Sequence, residues 1–405
     1  MAGKMQQLSE SVVIRSLRSF RDAYFSNSRG AVNRDMTAAG DTGDEDTEPG
    51  LLDSLPVDLQ FLIMTLLSPA DICRLGATSR YWRAMVRDPI LWRYFLLRDM
   101  PHWSSIDHLT MPQLEMLNAP IINEDESLAE GEDKGMESKC DFMSEYLRGC
   151  PSCRQQWLPS RPAYVRVTSF LQSLVPSSEP RYAMFGPGME HLDVSLVTRL
   201  MYAPEVLPVS GTPQRQINGI GSGISYMFNN QHKFNILTLY STNRAERERA
   251  RVEQRSINNK LFIIDGTDES GSPIYSPAPQ VQQVWQVVDG FIYVANAEPG
   301  RDGGQSEVAQ IQAVLSPVRG STSRPLLVLS CVSREEPEAV SATSQQSSSH
   351  RNTAMRRTPC VEMAKRLGLH QVTNPWMVQD TVAESLSGIL DGISWLLRCS
   401  GVKLR

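Results

Sequence analysis

Between Leu55 and Phe95 short apolar faces alternate with turn residues. Leu59, Leu62, Ile63, Leu66 and Leu67 recur at i, i+3, i+4, i+7 and i+8, the spacing of a one-faced helix. Pro56 suits its first helical position, where a missing N–H costs nothing. Ser68-Pro69-Ala70-Asp71 predicts a second helix, with Ser68 as N-cap, Pro69 at N1, Asp71 at N3 and an apolar face carrying Ile72 and Leu75. Trp82 with Met85 or Val86 marks a third, short helix. Asp88-Pro89 opens a fourth with Leu91, Trp92 and Phe95. A segment of about forty residues closes only a modest core. Some of these faces are therefore expected to meet a partner; the alternative is a small helical subdomain packed on the rest of the chain.

Elsewhere the pattern changes. Residues 11–25 place Val13, Leu17, Phe20 and Tyr24 on one side of a helix ringed by Arg15, Arg18 and Arg21. The stretch reads as a self-association helix or as a frayed tail, and also has the Arg- and Ser-rich look of a presequence. Residues 26–50 are small and acidic, the pattern of a flexible linker. Residues 99–179 read as a helical linker containing an acidic loop at 121–139. From residue 180 onward short buried-type strands alternate with helical patterns. The strands are Tyr182–Phe185, Ile224–Phe228, Phe234–Tyr240, Gly290–Asn296, Pro325–Cys331 and Trp376–Gln379. Asn229-Asn230 turns the second into the third. A Ser- and Arg-rich stretch at 333–359 reads as a disordered insert, and a helix over Ser385–Cys399 closes the chain. Alternation of this kind predicts an α/β unit with a parallel-rich sheet and helices on both faces.

The 405 residues, 41% of them hydrophobic, suffice for two or three domains. A net charge of -5 argues against a dedicated nucleic-acid binder, which would show a basic face. No apolar run approaches membrane-spanning length, and no secretory pattern opens the sequence, so the expected setting is the cytoplasm, extending to the nucleus. Seven cysteines suggest no disulfide framework. Cys150-Pro-Ser-Cys153, with Cys140 nearby, lacks the second ligand pair that a zinc site requires. No metal and no cofactor are expected. The six histidines are scattered and define no catalytic arrangement.

Leu55-Pro56, Leu66-Leu67-Ser68-Pro69-Ala70-Asp71-Ile72, Ser79-Arg80-Tyr81-Trp82-Arg83 and Asp88-Pro89-Ile90-Leu91-Trp92 together resemble an F-box. That resemblance implies docking on the Skp adaptor of a cullin-RING ubiquitin ligase. It implies Leu55, Pro56, Ile63, Leu66, Leu67 and Leu75 as adaptor-facing positions, with Trp82 and Trp92 holding the helices together. Leucines and aromatics are the usual anchors of helix-in-groove docking.

Residues 180–400 resemble a small GTPase of the Arf or Ras kind in element order and in phrases such as Val288-Asp289-Gly290-Phe291-Ile292-Tyr293-Val294. The letters that bind nucleotide are missing. A phosphate loop needs G-x-x-x-x-G-K-[ST]. Counted from Gly186, the G-K-[ST] positions hold His191, Leu192 and Asp193; counted from Gly188, they hold Asp193, Val194 and Ser195. Ser241-Thr242-Asn243-Arg244 stands where a metal-binding Asp and a Gly belong, and Ser330-Cys331-Val332-Ser333 where the base-reading Asn-Lys-x-Asp belongs. Lysine and Mg²⁺ carry most of the electrostatics of phosphoryl transfer, so GTP hydrolysis is not expected. Gly219-Ile220-Gly221-Ser222-Gly223 reads as a hairpin lead-in. If the strand order follows the family, Ile224–Phe228 is a sheet edge. Ile224, Tyr226 and Phe228 are then candidate client-binding residues, the alternative being an edge covered by its own loops.

The expected organisation is 1–50 flexible, 51–98 F-box, 99–179 linker and 180–405 a degenerate GTPase-like substrate-binding domain. The pairing is similar to F-box receptors with a GTPase-like client domain. That similarity implies a non-catalytic substrate receptor of an SCF ubiquitin ligase, with a telomeric repeat-binding factor and D-type cyclins as clients and self-association through residues before the F-box. No direct contact with nucleic acid or membrane is expected. A nucleotide-regulated switch, or a scaffold that recruits the adaptor outside any ligase, remains as an alternative.

Overall fold

The computed structural model describes residues 51–118, 140–154, 179–211, 221–240, 260–267, 273–300, 305–315, 323–335 and 357–404. The readings at 11–25, 26–50, 121–139 and 241–244 and most of the insert at 333–359 lie outside them. The chain divides into two units. One is Met1–Met100 with Pro112–Cys150; the other is Pro101–Met111 with Pro151–Arg405.

In the first unit helices α1 (Val57–Leu66), α2 (Pro69–Gly76), α3 (Arg80–Met85) and α4 (Pro89–Asp99) follow in close succession. The starts of α2 and α4 are those the sequence predicts, whereas Pro56, expected at the first helical position of α1, is its N-cap. Ser68 Oγ accepts from Asp71 N–H, Ser79 Oγ from Trp82 N–H and Asp88 Oδ1 from Ile90 N–H. Each satisfies an orphan donor of a first helical turn. Met64, Ile72, Leu91, Trp92 and Phe95 form the centre and are fully buried. Trp92 Nε1 donates to Val86 O at 2.6 Å, tying α4 to the end of α3.

A fifth helix, α5 (Phe142–Gly149), joins this core from beyond the acidic stretch. Asp141 caps it through the N–H groups of Met143 and Ser144. The Tyr146 ring lies 5.4 Å from Trp92 and 6.3 Å from Phe95, and its hydroxyl donates to Asp99 Oδ2 at 2.8 Å. The helical unit thus does not end at residue 98.

The second unit opens with β1 (Ser105–Asp107), inside the stretch read as a helical linker. Arg154 holds it: one guanidinium nitrogen donates to both Ser105 O and Ser105 Oγ at 2.8 Å, another pairs with Asp107 at 3.2 Å. The remaining strands are β2 (Arg181–Phe185), β3 (Val209–Gly211), β4 (Gly221–Phe228), β5 (His232–Leu239), β6 (Phe262–Thr267), β7 (Pro273–Pro277), β8 (Gly290–Asn296), β9 (Leu326–Val332) and β10 (Trp376–Val382). Eight of them make one sheet in the order β1-β10-β9-β8-β2-β5-β4-β3, while β6 and β7 form a separate hairpin. The run from β10 to β5 is parallel, with β4 and β3 antiparallel at one side and β1 antiparallel at the other. This is the mixed, parallel-rich sheet that the GTPase resemblance implies.

Helices α6 (Gly188–His191), α7 (Leu196–Tyr202), α8 (Pro279–Val287), α9 (Gln305–Leu315), α10 (Cys360–Arg366) and α11 (Ile389–Cys399) complete the unit. On one face Tyr182, Met184, Ile292, Val294, Leu327 and Leu329 pack with Leu196 and Leu200 of α7 and with Ile393 and Leu397 of α11. On the other, Phe185, Tyr293 and Phe291 meet Trp285 of α8 and Phe262 of β6 in a chain of ring contacts. Strands covered on both sides need no polar alternation, which is why β8 and β9 are apolar almost throughout. Asn229 and Asn230, at φ 48° and 54°, make the tight β4–β5 turn. The last helix starts at Ile389, later than its pattern predicts, because Leu386 and Gly388 adopt positive φ.

Candidate functional site

Helix α1 has two apolar faces, and they have different fates. Val57, Gln60 and Met64 point into the helical unit. Leu59, Leu62 and Leu66 point out, Leu66 with 77% of its surface exposed and Leu62 with 54%. Within the row read from the sequence, Leu59, Leu62 and Leu66 therefore form a solvent-facing ridge, with Ile63 and Leu67 half-buried beside it. Of the six positions assigned to adaptor docking, Pro56 and Leu66 are exposed, and Leu55, Ile63, Leu67 and Leu75 are half-buried. None is sealed in the core. Trp82 and Trp92 are buried.

A buried polar residue holds the approach to this ridge. Gln60 donates from Nε2 to Leu52 O at 3.0 Å and to Asp53 O at 3.2 Å, and accepts at Oε1 from the Tyr81 hydroxyl. The segment leading to Leu55-Pro56 is thus fastened to α1 and α3. Sequence reasoning missed Gln60, because a lone amide beside a leucine row looks like a surface residue. Its position three residues after Val57 and four before Met64 was the available signal. At the start of α2, hydrogen bonds from Ser68 Oγ and then from Arg74 hold the Asp71 carboxyl below the usual carboxylate range. At the start of α4, burial pushes the Asp88 carboxyl up, against the opposing backbone hydrogen bond from Ile90.

The second unit's own candidate is the turn after β2, where a nucleotide phosphate would lie. Gly186 stands at φ 128°, and a Cβ built there would come within 2.6 Å of Val294 O. A Cβ at Gly188 would lie 2.8 Å from Val294 Cγ1. These glycines serve close packing against β8. Beyond them Asp193 N–H donates to Ser333 Oγ, which itself donates to Glu298 Oε1 at 2.6 Å. Ser330, Cys331 and Val332 lie within β9 and are buried, so they offer no base-reading edge. With Glu190 buried in α6, Asp193 between α6 and α7 and Glu298 just after β8, carboxylates gather where phosphate would need cations.

The client-binding assignment of Ile224, Tyr226 and Phe228 is corrected. All three side chains are buried in the core shared with α7, at 5%, 2% and 5% exposure. Nor is β4 the outermost strand, since β3 pairs with it through Val209 and Gly211. The edge reading took its strand order from the family resemblance; with β3 outside it, β4 is an inner strand whose large residues turn inward. β3, exposed at all three residues, takes the edge position among the described strands.

Among the described residues no group of three His, Cys, Asp or Glu could hold a metal ion, and no helix is long and apolar enough to cross a membrane.

The F-box-like family matches residues 52–98. "F-box only protein 4" of Bos taurus is 48% identical over 371 residues, covering 91% of this chain and 88% of the relative. Its Homo sapiens counterpart is 47% identical over the same shares. "Actin-related protein 8" of Oryza sativa subsp. indica shares 39% identity over 69 residues, 17% of this chain and 13% of that protein. Among solved structures, the Arl6 BBS3 small GTPase from Trypanosoma brucei aligns with 55% of this chain and 98% of its own, at 11% identity and a TM-score of 0.29. The fold assignment rests on the strand order above. With its F-box in place and about half of its residues shared across nine-tenths of its length, the chain belongs to the F-box only protein 4 family.

Proposed function

We propose that the protein is the substrate-recognition subunit of an SCF ubiquitin ligase. The F-box binds the Skp adaptor, and the GTPase-like unit holds the client. The carrying observation is the outward leucine ridge of α1 above a closed aromatic core. A small helical unit has no internal use for Leu59, Leu62 and Leu66 on its surface, and such rows anchor helix-in-groove contacts. The chain performs no bond chemistry of its own. Holding the client near the loaded ligase makes ubiquitin transfer nearly intramolecular.

The clients proposed are a telomeric repeat-binding factor and D-type cyclins, with the exposed β3 edge replacing β4 as the place to receive them. The working compartment is the cytoplasm, extending to the nucleus, and self-association through residues 11–25 belongs to the same proposal.

A reconstituted ubiquitin-transfer assay tests it, using the full chain, the adaptor, cullin and RING subunits, and a telomeric repeat-binding factor. A Leu55→Ala/Pro56→Ala double mutant runs alongside. Modified client with wild type and loss with the double mutant is the expected result. Adaptor binding without client modification overturns the client assignment. Absence of adaptor binding by the folded wild-type chain overturns the receptor reading.

A further inference from the structure

Helix α1 ends in a chemical gap. The carbonyl of Thr65, one residue before the end of the helix, is one of the last four, which have no N–H partner within a helix. Beyond it Leu67 and Ser68 are extended, and Pro69 has no N–H to offer. Arg98 of α4 fills the gap, donating to Thr65 O at 2.9 Å. The same guanidinium is aimed by a fork on Asp99, with Nε to Oδ1 at 2.6 Å and a terminal nitrogen to Oδ2 at 2.9 Å. It also lies over the Phe95 ring at 4.7 Å. Asp99 Oδ2 in turn accepts from the Tyr146 hydroxyl at 2.8 Å. The ring of Tyr146 is buried against Trp92 and Phe95.

We infer that Tyr146, Asp99 and Arg98 form a positioning relay that fixes the Leu66-Leu67 corner of the adaptor-docking surface. The inference rests on the receptor reading above and deepens it. The F-box-like match ends at residue 98, so two of the three relay members lie beyond it, and Tyr146 belongs to a helix read from sequence as linker. The geometry is directional. Asp99 alone could swing its carboxylate toward solvent; the hydroxyl of a buried ring holds one oxygen in place, and the bidentate fork then fixes the plane of the guanidinium. The remaining nitrogen points at the helix-end carbonyl of Thr65. Leu66 and Leu67 follow directly on that carbonyl, so a frayed last turn would move both anchors together.

The test uses the full-length protein and purified Skp adaptor, and reads the adaptor dissociation rate, thermal stability and amide exchange at Leu67, whose N–H bonds to Met64 O at 3.2 Å. Tyr146→Phe keeps the ring and removes only the hydroxyl. It should speed adaptor release about threefold, and Arg98→Met about tenfold, as loss of hydrogen bonds to charged groups implies. Both should raise exchange at Leu67 before exchange in the rest of α1. The double mutant should release adaptor no faster than Arg98→Met alone, because the two residues act in series. A purely structural role would lower the melting temperature of Tyr146→Phe while leaving adaptor release and Leu67 exchange unchanged, and that result overturns the relay. Leu66→Asp is the control for the underlying reading. If it binds adaptor like wild type, the docking surface itself is misassigned. If it abolishes binding while Tyr146→Phe and Arg98→Met release adaptor at the wild-type rate, the docking surface stands and the relay is refuted.

Discussion

Two residues on one helix separate docking from folding. Leu66 and Met64 are two positions apart on α1, one 77% exposed and the other fully buried. Leu66→Ala removes three carbons, worth about 2.4 kcal/mol if wholly transferred from water, at roughly 0.8 kcal/mol each. Roughly three-quarters of that side chain is still in water before docking. The mutation should therefore cost about 1.8 kcal/mol of adaptor affinity, or about 20-fold in Kd. Its effect on folding should stay within about 0.5 kcal/mol, as for other surface changes. Met64→Ala should do the reverse, lowering stability by about 2–5 kcal/mol through lost packing and a residual cavity. Isothermal titration of the full chain with purified adaptor reads the first quantity, and urea unfolding the second. Adaptor affinity unchanged within twofold for Leu66→Ala would refute the ridge as a docking surface. Equal destabilisation by the two variants would refute the assignment of faces on α1.

Four further outcomes are expected. Gln60→Leu leaves Tyr81 and the carbonyls of Leu52 and Asp53 without this partner, so unfolding should become easier by about 1–3 kcal/mol, measured by denaturant titration. Gly186→Ala puts a Cβ against the backbone of β8 at a φ that disfavours side chains; a loss of about 2 kcal/mol or more should appear in thermal unfolding, and a neutral result would contradict the packing described. Burial raises the Asp380 carboxyl above its usual 3.8, against the opposing pull of Arg357. The folded state then binds the proton more tightly than the unfolded one, so this group's contribution to stability falls as pH rises from the ordinary to the raised value. The wild-type stability minus that of Asp380→Asn should decline across that window, and a flat or rising difference would show the sign to be wrong. Finally, titration of the full chain with a fluorescent guanine nucleotide should show no saturable binding; a saturable signal abolished by Asp193→Ala would place nucleotide chemistry at the β2 turn after all.

Legibility in the sequence followed the strength of the local signal. The starts of α2 and α4 were readable because Ser68 and Asp88 are short polar residues followed by Pro69 and Pro89, which suit the first turn, while the start of α3 at Ser79 was not read. The central strands were readable as unbroken apolar runs, and the Asn229-Asn230 turn as a residue pair suited to positive φ. What failed had no local signal. β1 is three residues of Ser-Ile-Asp whose only reason to be a strand is β10, more than two hundred residues away. β3 is Val-Ser-Gly, exposed throughout, and its omission made β4 look like an edge. In β6 only Phe262 is buried, so no alternation announced the hairpin. For the docking site, the F-box resemblance supplied the positions, while spacing could not say which side of α1 faced inward. That side carries Val57 and Met64 together with Gln60, whose amide is satisfied by two carbonyls and a tyrosine.

The return of the chain at β1 bears on how this protein can be taken apart. The backbone passes from the first unit to the second between Met100 and Pro101, goes back between Met111 and Pro112, and leaves again between Cys150 and Pro151. No single cleavage or splice junction yields both units whole. A transcript ending after residue 98 would lack the helix that buries Trp92 and Phe95 under Tyr146. A fragment starting at residue 180 would lack both the outermost strand beside β10 and Arg154, which holds that strand. Cutting the chain at any one point therefore leaves at least one of the two units incomplete.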